Sequence, residues 1–223
     1  SACSASRAAA EACCFAKSRR ATAASLLARD SRRGSAPRAE AAYPATVRGL
    51  ARGWCKAGDG PGFVPTYLGA YPADDDDAWC NGVFFAVGPG ALEALIRRES
   101  GYVVHAIDPA QVTMRDGVDA PPGDDLRVFV PRVRRPPAID RPIVQSYVDV
   151  CLAGCLEVER TYRAASGFAA DFFHSTRGWS QAHWINDRLM PRKPTAHVPE
   201  ARRFDGWIRD HLGADVLAAI RLP

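Results

Sequence analysis

Glu99 is the side chain whose setting in the sequence most invites chemistry. It falls near the end of Asn81-Gly-Val-Phe-Phe-Ala-Val-Gly-Pro-Gly-Ala-Leu-Glu-Ala-Leu-Ile-Arg-Arg-Glu99-Ser-Gly-Tyr102, where a strand, a short helix and a turn deliver one carboxylate toward a core. A carboxylate in such a place can take a proton and return it, which is the work of a general acid–base group. On local pattern alone it can equally stay exposed in a last helical turn or pair with Arg97 or Arg98.

The elements that position it are readable from their periods. Val83 to Val87 is a continuous apolar run bounded by Gly82 and by Gly88-Pro89-Gly90, which fits a strand covered on both faces. Ala91, Leu92, Leu95 and Ile96 then give one apolar helical stripe, with Glu93, Arg97 and Arg98 free to face water. Ser100-Gly101 stops the helix, and Tyr102 to Ile107 alternates as a returning strand.

Other groupings do not converge on chemistry. Asp74 to Asp77 are consecutive acids that point in different directions, so they read as a solvated loop tip and not as a cation site. His174, His183 and His197 lack metal-ligand spacing, and there is no Gly-x-Ser-x-Gly elbow or phosphate-binding glycine loop. Cys151 and Cys155 lie four apart on an expected helix and read as small buried apolar residues. The seven cysteines, an odd number, argue against a fully paired disulfide scaffold, and reduced thiols imply a cytosolic or organellar interior.

Three ordered stretches carry a family resemblance. The first is the Asn81–Tyr102 run, a strand followed by a helix ending Arg97-Arg98-Glu99 and then Ser100-Gly101-Tyr102. The second is Pro142-Ile-Val-Gln-Ser-Tyr147 with Cys151, Ala153-Gly154-Cys155-Leu156-Glu157 beyond it. The third is Val47-Arg-Gly-Leu-Ala-Arg-Gly-Trp54 followed by Thr66-Tyr-Leu68. Together, from about Ala45 to about Arg188, they resemble the γ-glutamyl cyclotransferase-like superfamily. That resemblance implies Glu99 as the catalytic acid–base group, and Tyr147 and Tyr102 as substrate-binding residues. It also implies a small-molecule γ-glutamyl substrate and calls for no metal and no cofactor. One departure stands out: the family's opening strand ends in Tyr-Gly-Ser-[Leu/Asn], a loop that holds the glutamyl head, and no such tetrapeptide occurs in this sequence. The resemblance is therefore to a divergent or N-terminally incomplete member, with the remnant of the segment after that loop sought at Ser18-Arg-Arg-Ala-Thr22.

Composition sets the outer limits. At 223 residues and 47% hydrophobic, the chain has room for one domain plus an extension. Residues 1–40 hold eight Lys or Arg and three Asp or Glu, whereas the rest of the chain holds 21 and 22, so the folded part is nearly neutral. Nothing there makes a nucleic-acid footprint, and no 18-residue apolar run provides a membrane span. The Ala-, Ser- and Arg-rich segment 1–40 reads as a disordered or transit-like extension, placing the protein in the cytoplasm, or in an organelle if that segment is a transit peptide. The domain is expected over 41–223, and the sequence is silent on oligomeric state.

Strands are expected over 45–54, 64–71, 79–87, 102–107, 110–114 and 126–130, and helices over 142–159, 166–174 and 200–221, with an irregular cover at 179–194. This is an α+β fold, a small mixed β-barrel-like sheet with C-terminal helices. Its sheet is expected to lack a first strand and to leave an edge or groove beside Glu99. Two functions stay open: intramolecular aminolysis of a γ-glutamyl amide to 5-oxoproline with Glu99 as proton shuttle, or a non-catalytic member that binds a small ligand in the same place.

Overall fold

Gly49 divides the strand expected over 45–54 into two. Its φ of 74° lies in the left-handed region that side-chain-bearing residues avoid, so the chain turns sharply there. Strand β2 (Ala42–Arg48) ends before it and β3 (Leu50–Ala57) begins after it, and the two enter different sheets. The structure is a computed structural model that describes residues 14–17, 42–58, 63–75, 77–86, 89–115, 125–179, 181–191, 198 and 201–222.

The larger sheet takes in β1 (Cys14–Lys17), β2, β5 (Trp79–Ala86), β6 (Tyr102–Ile107), β7 (Val112–Met114) and β8 (Leu126–Pro131), in the order β6-β8-β1-β5-β2-β7. Strand β1 runs parallel to β5, with Cys14 opposite Val83 and Lys17 opposite Ala86, and antiparallel to β8, with Lys17 opposite Leu126. This corrects the expectation of a missing first strand: it is present, it lies inside the sheet, and it precedes the domain boundary set at residue 41. The tail and transit-peptide readings of the remaining residues up to 40 fall outside the described residues. The mixed sheet with C-terminal helices is the expected α+β fold. The sheet ends in two edges, β6 and β7, and among the described residues no pairing joins them into a closed barrel.

A second sheet has the order β10-β3-β4, with β4 at Thr66–Pro72 and β10 at Thr176–Arg177, while β9 (Ile143–Val144) pairs with β11 (Trp184–Ile185). The sheets meet where Pro131 crosses Gly69: a Cβ added to that glycine would lie 2.6 Å from the proline Cγ, so a larger residue would push the two apart. On the two faces of the larger sheet Val83, Phe84, Phe85, Val128 and Phe129 are all buried, each contributing about 1.5–3 kcal/mol by removal from water.

The helices are α1 (Pro89–Arg98), α2 (Gln145–Thr161), α3 (Phe168–Ser175), α4 (Phe204–Leu212) and α5 (Ala214–Ala219). The helix expected over 200–221 breaks at Gly213, whose φ is 102°. Helix α2 is buried continuously from Gln145 to Leu152, and Cys151 and Cys155 join its buried apolar face as expected. No helix of the described residues is long and apolar enough to cross a membrane.

Two charged clusters fasten this core. Asp187 accepts hydrogen bonds from the Ser146 backbone N–H and hydroxyl, both at 2.7 Å, and so satisfies a donor of the first turn of α2. Arg188 holds Asp149 with two bonds of 2.7 Å and reaches Asp205 at 2.7 Å, tying α2 to α4. Burial pushes the Asp149 carboxyl up against the opposing pull of Arg188 and Gln145. Burial works to lower the Arg188 guanidinium, but its bonds to Asp149 and Asp205 outweigh it and raise it.

Candidate functional site

Glu99 follows directly on the last turn of α1. Leu92 and Leu95 bury and seat the helix, while Ile96, expected on the same stripe, is exposed. Glu93 and Arg97 face water as expected. Arg98 does not: its Nε donates to Glu99 Oε1 at 2.8 Å, and only 11% of the Glu99 side chain remains exposed. The carboxylate is thus both mostly buried and paired with its neighbour.

A tight turn then carries the chain into β6. The Glu99 N–H still donates to Leu95 at 2.8 Å, and the Tyr102 N–H closes Glu99-Ser100-Gly101-Tyr102 by donating to the Glu99 carbonyl at 3.0 Å. Arg132 clasps the same turn, its backbone N–H donating to Gly101 at 2.9 Å and its Nε to Ser100 at 3.2 Å. Lys56 reaches it from β3, with Nζ 5.7 Å from the centre of the Tyr102 ring and donating to the Ala57 carbonyl at 2.9 Å. That ring also meets Phe129 in an edge-on arrangement at 6.5 Å. Three cations therefore surround the turn that bears the acid.

Tyr147 approaches from the core. It is the third residue of α2 and fully buried, its ring edge-on to Tyr67 at 5.0 Å and to Trp54 at 5.9 Å. Tyr67 stands opposite Lys56 in the β3–β4 ladder. Glu99 and Tyr102 thus share one turn, and Tyr147 is connected to that turn through the Tyr67–Lys56 cross-strand pair.

Sequence reasoning missed Lys56, Tyr67 and Arg132. Lys56 lies in a strand that also holds Arg52, so its charge alone did not single it out; Tyr67 sits inside the Thr66-Tyr-Leu68 stretch without a role of its own, and nothing in the sequence marked Arg132. Arg52 was also passed over as chemistry, although it is fully buried and donates to Thr176 Oγ1 at 2.8 Å, Asn81 O at 2.6 Å, Asn81 Oδ1 at 2.9 Å, Ser175 Oγ at 2.8 Å and Phe172 O at 3.1 Å. Burial pushes the thiol of Cys55, between Trp54 and Lys56, up to about 11, against the lowering effects of Arg134 and the Gly69 backbone.

Asp75 is engaged on the surface by Arg177 at 2.6 Å. Among the described residues no three His, Cys, Asp or Glu side chains are grouped to hold a metal ion.

No protein-family model matches the chain, and no curated protein matches it. Among solved structures, a glutathione-specific γ-glutamyl cyclotransferase from yeast matches at 13% identity, covering 62% of this chain and 90% of that one, with a TM-score of 0.35.

Proposed function

We propose that this protein cyclises a γ-glutamyl amide to 5-oxoproline and a free amine, with Glu99 moving the proton. The observation that carries the reading is the Glu99–Tyr102 turn, where a mostly buried carboxylate lies beside the tyrosine that opens β6. The three sequence motifs support it.

The substrate supplies both nucleophile and leaving group. Its α-ammonium gives a proton to Glu99, and the freed amine attacks the γ-carbonyl carbon to form the new C–N bond. The tetrahedral centre then collapses and the old C–N bond breaks as Glu99 gives its proton to the departing nitrogen; Glu99 also takes the second proton that the attacking nitrogen sheds on becoming an amide and passes it to the released amine, which leaves as an ammonium. No water or redox partner enters the balance. Holding the chain folded back supplies most of the acceleration, since proximity of this kind is worth about 7–11 kcal/mol. Tyr147 and Tyr102 serve as walls for that folded substrate.

The test is release of 5-oxoproline from glutathione, γ-glutamylalanine and γ-glutamyl ethylamide, followed by mass spectrometry. Wild type should release it from at least one. Glu99→Gln should lower kcat by about 10²–10⁴-fold while the melting temperature stays put, because the amide keeps the shape and cannot shuttle a proton. Near-normal turnover by that variant would take Glu99 out of the mechanism. A second reading, ligand binding without turnover, is favoured by the Arg98 bond that already engages Glu99. It is the outcome if these compounds bind wild type and none is consumed.

A further inference from the structure

We infer that the ridge from Arg132 to Arg141 is a docking surface for an anionic lipid bilayer, which it meets from one side without spanning it. The ridge combines large apolar side chains held in water with charge of one sign. Val133 and Ile139 are 59% and 82% exposed, and the partly exposed Phe63 adjoins them, because the N–H of its neighbour Val64 donates to Asp140 O at 3.1 Å. Arg132, Arg134 and Arg135 flank Val133, and all three are exposed. Among the described residues none of the three pairs with an acid: Arg132 Nε donates to Ser100 O, and Arg134 lies over the Tyr71 ring at 4.1 Å. The single acid of the ridge, Asp140, is met within it by Arg141 at 2.9 Å, and nearby Glu99 and Asp75 are held by Arg98 and Arg177. Four arginines against one aspartate leave the ridge strongly positive.

The backbone fastens this display in place. The Arg132 N–H donates to Gly101 O at 2.9 Å and the Arg135 N–H to Cys55 O at 2.8 Å, while Thr66 holds Arg141 O through its hydroxyl at 2.6 Å. Ala138 and Arg141 exchange two backbone bonds, of 3.2 and 3.0 Å, so Ile139 and Asp140 form the tip of a tight turn. An aliphatic side chain fixed on such a tip is costly in water, and any partner that covers it gains. A peptide partner would bind along a groove or a strand edge, and a protruding tip offers neither. A bilayer suits it, because its surface is deformable and its apolar layer lies just beneath a negative one. Ile139 enters the acyl boundary while the arginines stay among the headgroups, which attract each of them.

The test is sedimentation of the full chain with vesicles of phosphatidylcholine alone and of phosphatidylcholine containing about one-third phosphatidylserine, at about 0.1 M salt. The chain should sediment with the mixed vesicles and not with the neutral ones, and should be released as salt rises. Replacing both arginines, Arg134→Ser with Arg135→Ser, should weaken binding about 30-fold, or about fivefold for each charge. Ile139→Ser should weaken it about tenfold, with the melting temperature unchanged. Should loss of the Tyr71 contact unfold the double variant, Arg135→Glu reads the same charge without touching it. Absence of binding to the mixed vesicles overturns the inference. So does wild-type binding by the arginine variants, which would assign the attraction to charge elsewhere in the chain. Soluble polyglutamate bound as tightly as the vesicles, and no more weakly by Ile139→Ser, would assign the ridge to an acidic protein instead.

Discussion

A guanidinium removed from water must direct its donors to protein acceptors, and Arg52 reaches four residues in doing so, with its charge also set 4.5 Å over the Phe172 ring. Two of the acceptors, Phe172 O and Ser175 Oγ, lie in the last turns of α3, where the helix dipole favours a cation. Asn81, which accepts twice from Arg52, passes the link on by donating to Phe168 O at 2.6 Å. Replacing Arg52 with Met strips buried oxygens of their donor and should cost at least about 3 kcal/mol, read as a lower denaturation midpoint in urea. An unchanged midpoint would show that these bonds are replaced by others. The place of Glu99 at the end of its helix was legible at this scale because a helix stripe and a glycine stop bracket it. Lys56 was not, since its direction depends on the shift of register between Trp54 and Lys56 in the β3–β4 ladder, which periodicity cannot reveal.

Elements with clear periods were found nearly where expected: β5, β6, β8, α2 and α3 all lie within a few residues of their sequence bounds. The failures have local causes. One left-handed glycine cut a strand in two at Gly49, and another cut a helix at Gly213. Strand β1 is only four residues, Cys-Phe-Ala-Lys, too short to show alternation against an Ala-rich background. The docking of α4 on α3 adds a property no periodicity announces. His211 stacks on Phe173 at 4.8 Å and 12°, with the His174 ring at 5.4 Å and Trp207 at 6.2 Å. Burial lowers the His211 pKa from 6.5, His174 lowers it further, and Asp210 opposes both. A folded pKa below the unfolded one means that stability is full above about pH 6.5 and is lost as pH falls toward the folded value. The midpoint of unfolding should therefore drop between pH 7 and pH 5 in wild type, and drop less in His211→Phe, which keeps the stack and cannot titrate. Parallel pH profiles for the two proteins would remove His211 as the cause.

Seen as a whole, the molecule depends on a segment that composition alone would discard. With β1 between β5 and β8, the six-stranded sheet is one body only while those four residues are in place. A chain starting at Ala42 should lose its cooperative thermal transition and expose apolar surface to a hydrophobic dye, whereas the full chain melts in one step. A single sharp transition in the shortened chain would show that β5 and β8 can close the gap by themselves. The same placement sets an order of events during synthesis. Strand β1 is made before either of its partners, which end at Ala86 and Pro131, so it can pair on one side once β5 is complete and on both sides only after synthesis has passed Pro131. Contacts that close such long loops make folding slow, and an unpaired strand left waiting is open to pairing with another chain. Yield in a rapidly translating host should thus be limited by the lifetime of that unpaired strand more than by the stability of the finished sheet.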